Sequence, residues 1–312
     1  MKQFLYCVCL MSAVSVNAAV FELPLTGDSV VGQEHMELAR QEDTLVDIAR
    51  VNGLGFEEIV IANAAVDSWL PGEGTPVILP MRFILPAGPR EGILINVAEM
   101  RLYYFPKVKV DEVATVETFP ISIGRSDWST PLVTTRVTRK TKDPIWYPPA
   151  SLKAERRQQG DTPLDDVVKA GPDNPLGQYA LYMGIPSYLI HGTNKAFGIG
   201  MQVTHGCMRL YPEDIERLFN EVPVGTPVRI VNQPFKVGWL EGVLYLEVHP
   251  WLEGTPQSSL NDKTILPALL KQALALYPDY PVDQQAVEMA VIEADGMPVA
   301  IGPRMVPIEA AY

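Results

Sequence analysis

The chain has 312 residues, 47% of them apolar and 20% charged, enough to bury a core and too apolar for a disordered chain. Its formal charge of −12 argues against nucleic acid or an anionic membrane surface as partner, since both attract basic patches. With 28 prolines and 23 glycines it is punctuated by turns, which favours short strands over long helices.

Lys2, the apolar run from Phe4 to Met11 and the small residues at Val16-Asn17-Ala18 predict a secretory signal over 1–19, cleaved after Ala18 or Ala19. About 13 apolar residues fall short of the roughly 20 that span a bilayer, so no membrane span is expected in the mature protein. Cys7 and Cys9 leave with the signal, and Cys207 remains as the single cysteine. An unpaired thiol in an oxidising compartment is either buried and inert or retained for reactivity, and position alone leaves both readings open.

The next unit spans 34–81. Glu42-Asp43-Thr44 ahead of Leu45, Ile48 and Ala49 predicts a capped short helix, and a second helical stretch runs over 56–63. A turn at Pro71-Gly72-Glu73-Gly74 leads to a closing strand ending at Pro80. The order strand, helix, helix, strand, with Glu42-Asp43-Thr44-Leu45, Ile48-Ala49 and Asn63, resembles a LysM module, a small peptidoglycan-binding domain; Glu42 stands where that family usually has glycine.

Residues 82–89 read as a proline-bearing linker, followed by a hairpin of strands at 92–96 and 101–105. Further strands are expected at 113–123, 136–142, 180–183, 188–190 and 228–231, and a short helix at 212–220 with Ile215, Leu218 and Phe219 on one face. The run 143–149 is too proline-rich for a central strand and is expected along the surface. In the last segment, 233–312, a strand at 243–248, helices at 264–276 and 284–293 and a terminal strand at 297–301 are expected.

Chemistry concentrates around Cys207. His191 closes the strand at 188–190, and the glycine-rich stretch 195–200 can bring the chain back beside it. If 203–207 is extended, His205 and Cys207 point to one face. A thiol attacks as thiolate, so a neighbouring imidazole is what nucleophilic cysteine chemistry requires. Gly192 and Gly206 would let substrate approach the backbone, and nearby amides could form an oxyanion hole. Spacing alone also allows a zinc site of His191, His205 and Cys207, or a wall-binding protein without catalysis.

The run His191-Gly192-Thr193-Asn194 through Thr204-His205-Gly206-Cys207-Met208-Arg209-Leu210 resembles the active-site signature of the YkuD-family L,D-transpeptidases. It is most similar to the ErfK/YbiS/YcfS/YnhG group, and Gly124-Arg125, Thr130-Pro131, Pro144-Ile145-Trp146 and Tyr211-Pro212-Glu213-Asp214-Ile215 extend the match. The resemblance implies a mainly β, α+β fold: a YkuD-type β-sandwich catalytic domain over 90–232, the βααβ LysM-like domain and an α/β C-terminal extension. It implies Cys207 as nucleophile and His191 as general acid/base, its ring oriented by a backbone carbonyl. His205, Gly206 and Gly192 would support the site, while Arg209 and Thr204 would bind substrate. No cofactor or metal is implied. The implied reaction is periplasmic acyl transfer from diaminopimelate of a peptidoglycan stem peptide, with release of D-alanine. The acceptor would be a second stem peptide, the lysine of an outer-membrane lipoprotein, or water. His35 and His249 read as structural or surface residues.

Overall fold

The computed structural model describes residues 19–24, 27–260 and 262–305, so the expected signal segment up to residue 18 lies outside the described residues. Nine strands hydrogen-bond into one sheet. Its order is Ala19–Glu22, Thr115–Pro120, Arg101–Phe105, Gly92–Asn96, Pro227–Val231, Thr134–Lys142, Tyr179–Met183, Leu189–His191 and Met208–Arg209. Residues from both ends of this sheet (Leu102 and Phe119 at one, Ile190 and Met208 at the other) share one apolar cluster. The sheet therefore curls over a common core, closed by Ile215 and Leu218 of helix Pro212–Glu221. The fold is α+β, mostly sheet with short helices, as the sequence implies.

Alternation along the central hairpin explains why Gly92–Asn96 and Arg101–Phe105 are buried throughout. Ile93, Ile95, Leu102 and Tyr104 face the common core, and Leu94, Tyr103 and Phe105 face the other way. That back face is covered by the small N-terminal unit, whose Leu45, Ile48, Leu54 and Ile59 complete a second cluster with it. The unit has the expected order: His35–Leu38 pairs antiparallel with Pro76–Leu79, and helices Leu45–Val51 and Phe56–Ala62 lie between them in sequence. Thr44 and Asp47 form a capping box on the first helix, one residue from where the sequence places its start.

The unit is docked. Arg50 makes a two-pronged bond to Glu213 at 2.8 and 3.0 Å, and buried Arg101 reaches Glu58 at 2.6 Å. Helix Phe56–Ala62 has no side-chain cap on Gly55; instead its Phe56 and Glu57 N–H groups donate to the carbonyls of Ile199 and Gly200, at 2.9 and 3.1 Å. Those carbonyls belong to the loop that leads into Cys207.

One expectation needs correction, and two elements were not foreseen. Residues 82–89 are not simply a linker: Arg82–Ile84 is a strand paired with Val30–Gly32, with Phe83, Ile84 and Leu85 buried. The run after residue 143 leads into an unexpected helix, Ala150–Gln159, made of good helix formers but burying none of its residues, so no apolar period betrays it. A strand at Phe235–Leu240 was also not expected: Phe235, Val237 and Trp239 alternate onto the C-terminal core, while Lys236 and Gly238 are buried on the other face. Buried Lys236 bonds Glu99 at 2.6 Å and Glu247 at 2.5 Å, and Glu247 also receives the Ile84 amide and His249 Nε2, at 2.7 and 2.6 Å. His249 is thus structural, and this network ties the C-terminal strands Phe235–Leu240 and Val243–Val248 to the catalytic hairpin. Helices Ile265–Ala273 and Gln284–Glu293 and the strand Val299–Ala300 complete the extension.

Candidate active site

Strand Leu189–His191 delivers His191, and the chain returns through Gln202–Thr204 to Met208–Arg209, which pairs parallel with the strand it left, His191 opposite Arg209. The 195–200 stretch therefore does what its glycines predict. Extension, however, stops at Thr204: His205 and Gly206 form a tight bend, with Gly206 at φ 98°. His205 and Cys207 are brought together by a turn and not by strand alternation.

That turn is braced by two threonines. Thr204 donates to the Cys207 carbonyl at 2.6 Å and accepts from the Gly206 amide at 3.2 Å, while Thr130 accepts from the Gly124 amide at 3.0 Å and donates to the Gly206 carbonyl at 3.1 Å. The Thr204 hydroxyl has one proton and it is spent on the loop, so this residue holds Cys207 and has no donor left for substrate. The Gly206 amide is likewise engaged and is not free to serve an oxyanion. The glycines are also needed for packing. A Cβ on Gly192 would lie 2.9 Å from Ile215, and one on Gly206 would lie 2.7 Å from the Tyr188 ring.

Cys207, His191, His205, Thr204 and Arg209 line one cavity of about 300 Å³, walled by Trp146, Leu152, Tyr182 and Leu189. Cys207 is partly exposed, and its thiol donates to the Ser187 carbonyl at 3.5 Å. Burial pushes the thiol up to about 11, against the pull of the Leu189 amide and the Arg209 charge. His191 is buried, and its Nδ1–H donates to the Gly192 carbonyl at 2.6 Å, which leaves Nε2 with the free lone pair. Burial, and then the Arg209 charge, push its value down to about 3. The resting pair is a neutral thiol and a neutral imidazole, so the thiolate forms as the proton passes to a base during attack.

Among the described residues, Arg209 is the cation whose charge acts on both groups. Its Nε is buried without a hydrogen-bond partner, and among the described residues no carboxylate forms an ion pair with it. An unneutralised guanidinium beside a nucleophile is suited to a carboxylate that arrives with the substrate. The zinc reading fails on donor geometry: His191, His205 and Cys207 do not bring three ligand atoms to one point. Among the described residues the acidic, histidine and cysteine donors that converge within 4.8 Å are Glu99, Glu247 and His249, around Lys236.

Sequence reasoning missed several members of the site. Glu155 sits on the unforeseen helix, Trp128 meets the His205 ring edge-on at a centroid distance of 5.1 Å, and Ser187, at φ 69°, presents its carbonyl to the thiol. Only Trp128 carries a local signal, three residues after the recognised Gly124-Arg125.

A cysteine, a backbone-oriented histidine and a buried arginine at the end of a curled sheet are groups suited to cysteine acyl transfer. The L,D-transpeptidase catalytic domain (YkuD) matches residues 90–230, and the chain belongs to the L,D-transpeptidase family. It is 42% identical over 292 residues to the probable L,D-transpeptidase YbiS of Escherichia coli K12, covering 92% of this chain and 93% of that protein. It is 40% identical over 302 residues to the probable L,D-transpeptidase ErfK/SrfK of Salmonella typhimurium, covering 96% of each. L,D-transpeptidase 3 of Mycobacterium tuberculosis is a more remote structural relative, with 21% identity, a TM-score of 0.33, and 50% of this chain and 66% of that chain covered. The chain is thus an L,D-transpeptidase, and a reading without catalysis is set aside.

Proposed function

We propose that Cys207 attacks the carbonyl of diaminopimelate at the third position of a peptidoglycan stem peptide. A carbon–sulfur bond forms, the amide bond to the terminal D-alanine breaks, and His191 Nε2 carries the thiol proton to the departing amine. An incoming amine then displaces the thiol and gives its proton back through the same nitrogen. Arg209 holds a donor carboxylate. The observation that supports this reading is the convergence of Cys207, a His191 fixed by the Gly192 carbonyl, and an unneutralised Arg209 in one cavity.

The acceptor amine belongs to a second diaminopimelate, giving a 3→3 crosslink, or to the terminal lysine of an outer-membrane lipoprotein; water would make the enzyme a carboxypeptidase. The protein acts in the periplasm after removal of the segment 1–19. Among the described residues no helix is long and apolar enough to cross a membrane. Mass spectrometry of muropeptides after incubation with purified protein separates the three products. The same digest with Cys207→Ala should show none of them; full activity in that variant would disprove the mechanism.

A further inference from the structure

Helix Ala150–Gln159 forms part of the wall of the thiol cavity through Leu152, yet none of its residues is buried and its N-cap, Pro149, offers no side-chain bond. Apolar burial does not hold it there. Its other side-chain bonds are local: Lys153 reaches Asp166 at 2.5 Å, and Arg156 reaches the Thr162 carbonyl at 3.2 Å. Among the described residues, Glu155 alone carries polar side-chain contacts from this helix to residues outside the segment 150–166. Its carboxylate takes the Arg125 guanidinium on one oxygen and His205 Nε2 at 3.1 Å on the other.

We infer that Glu155 is a positioning residue for acyl transfer, locking His205 and with it the Cys207 turn, while holding helix Ala150–Gln159 against the cavity. The chemistry of the bond fixes more than a distance. Arg125, and then His205, keep the Glu155 carboxyl below its ordinary range, so it is ionised and can only accept. Nε2 of His205 is therefore the nitrogen that donates, the opposite one from the nitrogen His191 uses toward Gly192. The ring is also held edge-on by Trp128. The charged groups facing it are Glu155 from the helix, Arg125 and Asp127 from the 125–128 segment, and Arg209 within the cavity, where the titratable Cys207 thiol also lies. With both ring position and tautomer set, the bend from His205 through Gly206 loses its freedom at the point where the thiol is presented.

The inference rests on the acyl-transfer reading, and one experiment separates the two. Glu155→Ala, Glu155→Gln, Lys153→Ala and Cys207→Ala are compared with wild type on a disaccharide-tetrapeptide donor, and the His205 ring is followed by NMR through its hydrogen-bonded Nε2–H signal. Glu155→Ala should lower kcat/KM by about 10- to 100-fold, the scale on which small misplacements of a reacting group are felt, and should lose that signal to exchange with water. Glu155→Gln keeps the size and an acceptor oxygen, so it should keep the signal and recover most of the rate. Lys153→Ala, which loosens the same helix without touching His205, should leave the signal in place. A wild-type rate and an unchanged Nε2–H signal in Glu155→Ala, with Cys207→Ala inactive, would overturn the role of Glu155 alone. Activity in Cys207→Ala would instead overturn the acyl-transfer reading.

Discussion

Replacing Arg209 by methionine tests how the charge beside the thiol is used. The guanidinium lowers the Cys207 thiol and the His191 imidazole together, so its loss should raise both. At an effective dielectric of about 20 and a separation of about 6 Å, Coulomb's law gives about 3 kcal/mol, or about two pKa units as a ceiling. In the wild type, a thiol near 11 stands four units above pH 7 (11 − 7), so about one molecule in 10⁴ is thiolate. One or two further units would cut that fraction by about 10- to 100-fold. Nucleophilicity rises with basicity and recovers roughly half of the loss on a logarithmic scale, leaving iodoacetamide alkylation about 3- to 10-fold slower. The assay is alkylation of Cys207 followed by mass spectrometry from pH 6 to 10. The wild-type rate should climb with pH without a plateau below pH 9. A plateau near neutrality, or an Arg209→Met variant that alkylates at the wild-type rate, would show that the resting thiol is ionised or that Arg209 does not act on it.

Removing the Lys236 ammonium with Lys236→Met should cost about 3–5 kcal/mol in urea unfolding, because it leaves Glu99 and Glu247 facing each other in a buried site. Gly206→Ala must place a methyl group 2.7 Å from the Tyr188 ring at a φ of 98°, a strain of about 1–3 kcal/mol. It should therefore lose transpeptidation at least 10-fold on the muropeptide assay while its melting point moves by only a few degrees. Asp214 is buried, with burial and then Glu213 raising its carboxyl from the ordinary 3.8 to about 7. A raised acid contributes its full stability below pH 4 and loses it as pH rises through 7. Asp214→Asn should therefore flatten the wild-type decline between pH 4 and 8, by at most about 4 kcal/mol (roughly three units at 1.4 each) in pH-dependent unfolding. A decline unchanged by the substitution would show that Asp214 is not its source.

Where a segment buries a regular apolar face, its sequence foretells it. The hairpin at Gly92–Asn96 and Arg101–Phe105, helix Pro212–Glu221 and the capped helix after Thr44 all lie within a residue or two of expectation. The misses have different causes. Helix Ala150–Gln159 is specified by propensity and by one carboxylate and has no apolar period to read, whereas Phe235, Val237 and Trp239 do alternate onto the C-terminal core, a strand period interrupted by the buried Lys236 and Gly238 between them. The cavity shows the same division. Cys207, His191, His205 and Arg209 were legible because they stand together in one motif, and the cavity brings all four together. Glu155 lies 50 positions from His205, a pairing that only the folded chain reveals. Thr204 and the two glycines were legible as members of the motif but not in their roles, since bracing and close packing depend on Ile215, Tyr188 and Thr130.

The back face of the catalytic hairpin carries one more consequence. Among the described residues, most of the apolar side chains that cluster with Leu94, Tyr103, Phe105 and Val116 precede residue 90, from Val31, Phe83 and Leu85 and from the N-terminal unit. The edge strand of the same sheet is Ala19–Glu22, so cleavage after Ala19 would trim a residue that pairs with Thr118, whereas cleavage after Ala18 would leave the edge whole. The family domain is therefore not a cassette in this protein. Excised alone it would present a greasy slab to water and tend to stick to its own copies. In inheritance, the two halves can be exchanged only as a matched pair.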